Sequence, residues 1–223
     1  MAAITRQTFH NSLEELQQQI LRMGSMVEQT IARAVESLAR LNAEMAQAVI
    51  DGDKIIDDME LKIEQECLRL LATQQPMARD LRKIVAGFKI ITDLERMADY
   101  ASDIAQITLR IVATGQPLIK PLIDIPRMAE LAQEMVKQSL DAYVRGDVEL
   151  AYNIAKADDQ VDMLHNQIFR ELLVYMMEDP KTISQATYLL FVSRYLERIA
   201  DHATNIGEEA IYLVTGERKE LND

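Results

Sequence analysis

Two pairs of carboxylates, Glu95/Asp99 and Glu197/Asp201, stand four residues apart inside near-copies of one phrase. Residues 93–106 read DLERMADYASDIAQ and residues 195–208 read YLERIADHATNIGE, with seven of fourteen positions identical at a spacing of 102. Asp53/Asp57 and Asp158/Asp162 have the same four-residue spacing. On a helix such pairs share one face, with Cβ atoms about 5–6 Å apart, and like charges there repel. If the face is buried, each ionised carboxylate also loses its hydration, so something must neutralise it. Protons, basic side chains or a metal ion can do so. Arg96 and Arg198 directly follow their glutamates and so point about 100° away on a helix, which leaves the four acids of each half outnumbering the local bases. Hard oxygen donors of this kind suit Mg²⁺, Ca²⁺, Mn²⁺ or Fe.

The elements that would position these acids are long helices. Ile84, Phe88, Ile91, Glu95, Ala98, Ser102 and Ala105 follow each other at steps of four and three. The glutamate interrupts an otherwise apolar or small seam. Leu190, Ser193, Glu197, Ala200, Thr204 and Gly207 repeat the pattern. Two further seams, Val49, Asp53, Ile56, Glu60, Ile63 and Ile154, Asp158, Val161, His165, Ile168, carry the DxxxD pairs. Each half therefore offers one ExxxD helix and one DxxxD helix to face it.

The duplication extends beyond the acids. LNAEMAQAVIDGDKIID (41–57) aligns with GDVELAYNIAKADDQVD (146–162) at a spacing of 105, so the first copy carries three extra residues before its LER motif. Those residues fall where proline-bearing loops join two helices, at QQPMARD and EDPKT. The pattern predicts helices at 9–39, 43–73, 79–114, 125–144, 148–177 and 182–214. Asn42 and Asp147 are the expected N-caps and Gly216 is an expected stop. The fold expected is all-α, two tandem antiparallel three-helix bundles, elongated along their helices. The first unit spans residues 1–114, a stiff two-proline linker 115–124, the second unit 125–216, and a tail 217–223.

Composition sets the outer limits. The 223 residues are 48% hydrophobic, 27% charged and 5% aromatic, a globular chain rich in helix formers. Its 36 acids against 24 bases give a formal charge of −12, which repels polyanions, so no nucleic-acid partner is expected. No apolar run reaches the roughly eighteen residues of a spanning helix, and the polar N-terminal stretch does not read as a signal peptide. Cys67 is the only cysteine, which excludes an intrachain disulfide and fits a cytoplasmic setting. The seam position of Cys67 reads as a small buried residue rather than a nucleophile. P-loop, GxGxxG, nucleophile-elbow and HExxH signatures are all missing.

QPMARDLRKI followed by DLERMADYASDIA, then MMEDP and RYLERIADHATNIGE, resemble the PhoU family of phosphate-transport regulators. The resemblance runs over essentially the whole chain, and RYLERIADHATNI is its most specific part. It implies a cytoplasmic, often dimeric, non-enzymatic protein that holds the phosphate-starvation response off. The partners it implies are the ATPase subunit of a phosphate ABC transporter and a phosphate-sensing histidine kinase. It also implies metal binding at Glu95, Asp99, Glu197 and Asp201, with Asp53, Asp57, Asp158 and Asp162 facing them. The ion is left open among divalent or trivalent Fe, Mn, Zn and Mg. Asp103 extends the first set by a turn, whereas its counterpart is Asn205, and His165 stands where the first repeat has Glu60. Two other readings stay open from the residues. One is a carboxylate-bridged di-metal oxidase, although the ExxH motifs such enzymes use are missing. The other is a metal-free helical interaction module.

Overall fold

The computed structural model describes the backbone of residues 2–221, and side chains from residue 7 onward. The last two residues of the expected tail lie outside the described residues. Six long helices run α1 Ala2–Ala39, α2 Ala43–Gln74, α3 Ala78–Ala113, α4 Asp124–Arg145, α5 Val148–Glu178 and α6 Ile183–Thr215, with a 3₁₀ turn at Pro180–Thr182 before α6. No strand occurs among the described residues, so the chain is all-α. At 1.5 Å per residue, α3 alone is about 54 Å long. Asn42 caps α2 by accepting from the Met45 N–H at 3.0 Å, and Asp147 caps α5 by accepting from Leu150 N–H at 3.0 Å. Gly146 and Gly216 end α4 and α6 with φ of 64° and 77°, a conformation that costs glycine little. The first helix starts earlier than the expected residue 9, because nothing in the preceding residues breaks a helix.

Within the first half, α1, α2 and α3 pack on one another, and α4, α5 and α6 do the same in the second. The two bundles also share contacts, through α3 with α6 and α1 with α4. The buried apolar side chains form one continuous core through both halves. A Cβ at Gly24 would run into Leu140, so α1 and α4 approach each other closely there. The outer helices α2 and α5 bury one narrow stripe each, and α3 and α6 are buried on two sides. Ile90, Leu94, Met97, Ala101 and Ile104 are buried on α3 in addition to the expected seam.

The α3–α6 contact is antiparallel. Arg82 reaches the Leu213 carbonyl, Lys89 meets Glu209, and Tyr100 stacks on Tyr195 with ring centroids 5.7 Å apart. The linker is tied down rather than free. Gln185 accepts from Ile119 N–H at 2.6 Å and donates to the Pro117 carbonyl at 3.0 Å, while Lys120 pairs with Glu171. The tail folds back as well, with Leu221 N–H donating to Glu208 Oε1 at 2.8 Å. No helix among the described residues is long and apolar enough to cross a membrane.

Candidate metal centres

Each half brings its acids to the junction of an outer and an inner helix. In the first, Asp53 and Asp57 on α2 face Glu95, Asp99 and Asp103 on α3. Burial pushes the Asp53 carboxyl up to about 6, followed by repulsion from Asp57, Asp99 and Asp103, with the Ser102 hydroxyl pulling the other way. Glu95 also rises to about 6, through burial and then Asp99, with Glu60 and Asp57 adding to it and Arg96 opposing. In the second half, Asp158 and Asp162 on α5 face Glu197 and Asp201 on α6. Asp158 is raised to about 7, first by burial and then by Asp162, Asp201, Asp159 and Glu197. Burial likewise raises Asp162 and Asp201, each also repelled by an acid on α6.

One oxygen in each cluster has no hydrogen-bond partner. Asp53 Oδ1 and Asp158 Oδ1 are both buried and unpaired, at corresponding positions of the two repeats. Asp158 as a whole is only 8% exposed. A buried carboxylate oxygen without a donor is costly, and a cation bound beside it removes that cost. The donor set is the hard oxygen chemistry that Mg²⁺, Mn²⁺ and Fe favour. In chemical type and in unmet bonding, the residues fit a metal.

Their orientation differs from the convergence expected of them. Among the described residues, no three carboxylate, imidazole or thiolate side chains are gathered closely enough to hold one ion. Arginines on the inner helices pair with the acids instead. Arg96 lies 3.4 Å from Glu95 and 3.2 Å from Asp99, Arg194 pairs with Glu197, and Arg198 lies 3.3 Å from Asp201. The expectation that Arg96 and Arg198 point away is therefore corrected. Each reaches forward three residues to the aspartate, and Arg96 also stays within reach of Glu95 itself. These arginine side chains are 44–56% exposed, and ion pairs that open to water are worth about 0–1 kcal/mol. A multivalent cation can displace them at small cost. Cys67 is fully buried, with its thiol pushed up to about 12 by burial, which agrees with a packing role.

The PhoU domain family model matches residues 20–108 and again residues 125–210. The chain belongs to the PhoU family. It is 46% identical over 221 residues to the phosphate-specific transport system accessory protein PhoU homolog of Clostridium acetobutylicum, covering 99% of this chain and 100% of that one. It is 44% identical to the protein of the same name from Aquifex aeolicus, covering 92% of each. The crystal structure of PhoU from Pseudomonas aeruginosa superposes with a TM-score of 0.89 at 39% identity, covering 94% of this chain and 100% of that one. The phosphate transport system regulatory protein PhoU from Streptococcus pneumoniae gives 0.86 at 32% identity, covering 95% and 99%.

Several polar contacts of this PhoU-family chain were not foreseen from the sequence. His202 Nδ1 and Asn205 Nδ2 both meet Asp93 Oδ1, at 2.8 and 3.1 Å, joining α6 to α3 just beyond Asp201. Glu209 is buried on α6, and its Oε1 accepts from Lys89 of α3 at 2.7 Å and from Arg218 of the tail at 3.0 Å. Lys219 of the tail also meets the Tyr152 hydroxyl of α5 at 2.9 Å. Their signal in the sequence was faint, since each bridge spans tens of residues or more, apart from the short Glu209–Arg218 link.

Proposed function

We propose that this protein is a non-enzymatic regulator of phosphate uptake that keeps the phosphate-starvation response off when phosphate is plentiful. It acts in the cytoplasm, as a homodimer, between the ATPase subunit of a phosphate ABC transporter and a phosphate-sensing histidine kinase. The end-to-end relationship to a phosphate-specific transport system accessory protein, with 46% identity over that protein's full length, carries this reading. A long rigid double bundle with linker and tail tied down is also a suitable platform for protein contacts. A strain lacking the protein is expected to express its phosphate-starvation genes in phosphate-rich medium, and a plasmid copy is expected to restore repression. Normal repression in the deletion strain would reject the role.

The two acidic clusters are read as metal sites of this regulator. Asp53, Asp57, Glu95 and Asp99 would hold a divalent or trivalent cation in the first half, and Asp158, Asp162, Glu197 and Asp201 in the second. Bound there, the cation supplies positive charge that satisfies the orphaned Asp53 and Asp158 oxygens and fastens each outer helix to its inner neighbour. The unpaired buried oxygens at both equivalent positions support this assignment. Purified wild-type protein equilibrated with Mn²⁺ or Fe²⁺ is expected to retain metal after desalting. A Glu95/Asp99/Glu197/Asp201→Ala variant is expected to lose it, and equal metal content in the two would remove these residues from the ligand set.

A further inference from the structure

The start of α3 meets the end of α6 well away from the acidic clusters. Lys83 and Glu95 stand twelve residues apart on α3, about 18 Å along its axis, as do Leu213 and Asp201 on α6. A cavity of about 80 Å³ lies there, between the first turns of α3, the early part of α1 and the end of α4. Arg79 and Lys83 of α3, Arg145 of α4 and His10 of α1 line it, against a single acid, Glu14 of α1. In a chain of net charge −12 this is a concave surface of the opposite sign.

The cations of this cavity are weakly engaged. Their four-residue spacing puts Arg79 and Lys83 on one face of α3, and neither has an ion-pair or hydrogen-bond partner among the described residues. Arg145 makes one long pair of 3.5 Å with Asp141, and His10 lies 3.4 Å from Glu14. By contrast, Arg82 turns to the Leu213 carbonyl at 3.4 Å. A buried hydroxyl adds an independent sign. Tyr143 of α4 lines the same cavity at 3% exposure, and its hydroxyl hydrogen-bonds to none of the described residues. That hydroxyl lies beside Gly87, the next position on the Arg79–Lys83 line, 3.5 Å from where a Cβ would stand. Burial raises the phenol above its ordinary range, so it keeps a hydrogen to donate. A buried donor without an acceptor is costly, and an anion beside it removes the cost.

We propose that this cavity binds inorganic phosphate, with Arg79, Lys83 and Arg145 facing its charge and the Tyr143 hydroxyl donating to one of its oxygens. The volume holds several waters, hence one tetrahedral oxyanion, and falls far short of the roughly 300–1,000 Å³ of pockets for larger ligands. Glu14 sets the choice among oxyanions. An ionised carboxylate can only accept a hydrogen bond. Inorganic phosphate keeps at least one proton at neutral pH and can donate it to Glu14. Sulfate has none to give, and a phosphomonoester, with its second pKa at about 6, has lost its own. Both meet Glu14 as a like charge. The site is independent of the regulatory role and of metal at the clusters.

Isothermal titration calorimetry on the full chain, stripped of metal by a chelator, tests this with phosphate, sulfate and phenyl phosphate at constant ionic strength. Wild-type protein is expected to bind one equivalent of phosphate, and sulfate and phenyl phosphate at least about tenfold more weakly. Arg79→Gln/Lys83→Gln breaks no ion pair among the described residues; it is expected to weaken phosphate binding at least about tenfold with an unchanged melting temperature. Tyr143→Phe is expected to weaken it about fivefold without lowering the stability of the free protein. Glu14→Gln is expected to bring sulfate close to phosphate in affinity. Absence of phosphate binding by the wild-type chain would overturn the proposal, as would binding that survives Arg79→Gln/Lys83→Gln. Equal affinity for sulfate would reduce the cavity to a general anion site, and tighter binding of phenyl phosphate would assign it to a phosphorylated molecule. Either result would overturn the choice of inorganic phosphate.

Discussion

Asp158→Asn is expected to stabilise the metal-free protein at neutral pH and to remove the part of the metal-induced stabilisation that comes from the second cluster. The wild-type carboxyl is held at about 7 in the fold, against 3.8 for an ordinary aspartate. Between those two values the folded state binds more protons than the unfolded one. Stability of the metal-free protein therefore falls as pH rises from about 4 to about 7, and this contribution levels off above that. Asparagine has no charge to desolvate and can donate to the neighbouring carboxylates, so it escapes the loss, by an amount on the order of 2 kcal/mol at pH 7.5. Metal acts in the opposite sense, since it binds the folded state's ionised acids and raises stability by mass action. Thermal melts of both proteins, across pH and with and without Mn²⁺ or Zn²⁺, read both effects. A variant that is less stable without metal and equally stabilised by it would show that Asp158 serves packing alone. An acid that weakens the empty fold and strengthens the loaded one is the signature of a binding residue.

The second large effect is expected at Glu209, where the two ways of breaking one contact should differ. The Glu209 side chain is 7% exposed, while Lys89 and Arg218 are 45% and 55% exposed. Removing both cations with Lys89→Ala/Arg218→Ala leaves a carboxylate in the interior with nothing to balance it, at a cost of about 3–5 kcal/mol. Glu209→Gln instead returns the two cations to water they already touch, and an amide of the same shape fills the space. Its cost is expected to be about 1 kcal/mol. Urea unfolding of the two variants checks the asymmetry. Equal costs would mean that the bridge contributes as a surface pair only. Because Arg218 belongs to the tail and Lys89 to the other bundle, the double variant should also expose residues 217–221 to proteolysis.

The helices and the acids were legible in the sequence for the same reason. A helix that packs on one side writes its contacts at intervals of three and four, and Asp53 and Asp158 stand on those lines. The two N-caps were legible because Asn42 and Asp147 each precede an acid in the first helical turn. The second buried face of α3 was harder to see. A helix with partners on two sides is apolar nearly all round, so Ile90, Leu94 and Met97 did not stand apart from the seam beside them, and side-by-side packing of the bundles went unforeseen. The arginine partners were missed because only the angle to the preceding residue was weighed, and a long guanidinium arm reaches the aspartate three positions on. The orphaned oxygens and the cavity at Tyr143 depend on distances between helices, which no local pattern encodes.

The α3–α6 contact has a consequence for the history of the chain. Residues 93 and 195 correspond in the two repeats, as do 100 and 202. Exchanging the halves therefore turns the contact between Tyr100 and Tyr195 into the contact between His202 and Asp93. One is a ring stack and the other a hydrogen-bonded polar pair. Two identical units meeting by this antiparallel contact would have to make the same contact twice. Two first halves would set Tyr100 against Asp93 on both sides, and two second halves would set His202 against Tyr195. Neither combination regenerates the stack or the polar pair. The halves of this protein have become a matched set, each carrying one side of two locks, and neither can stand in for its twin.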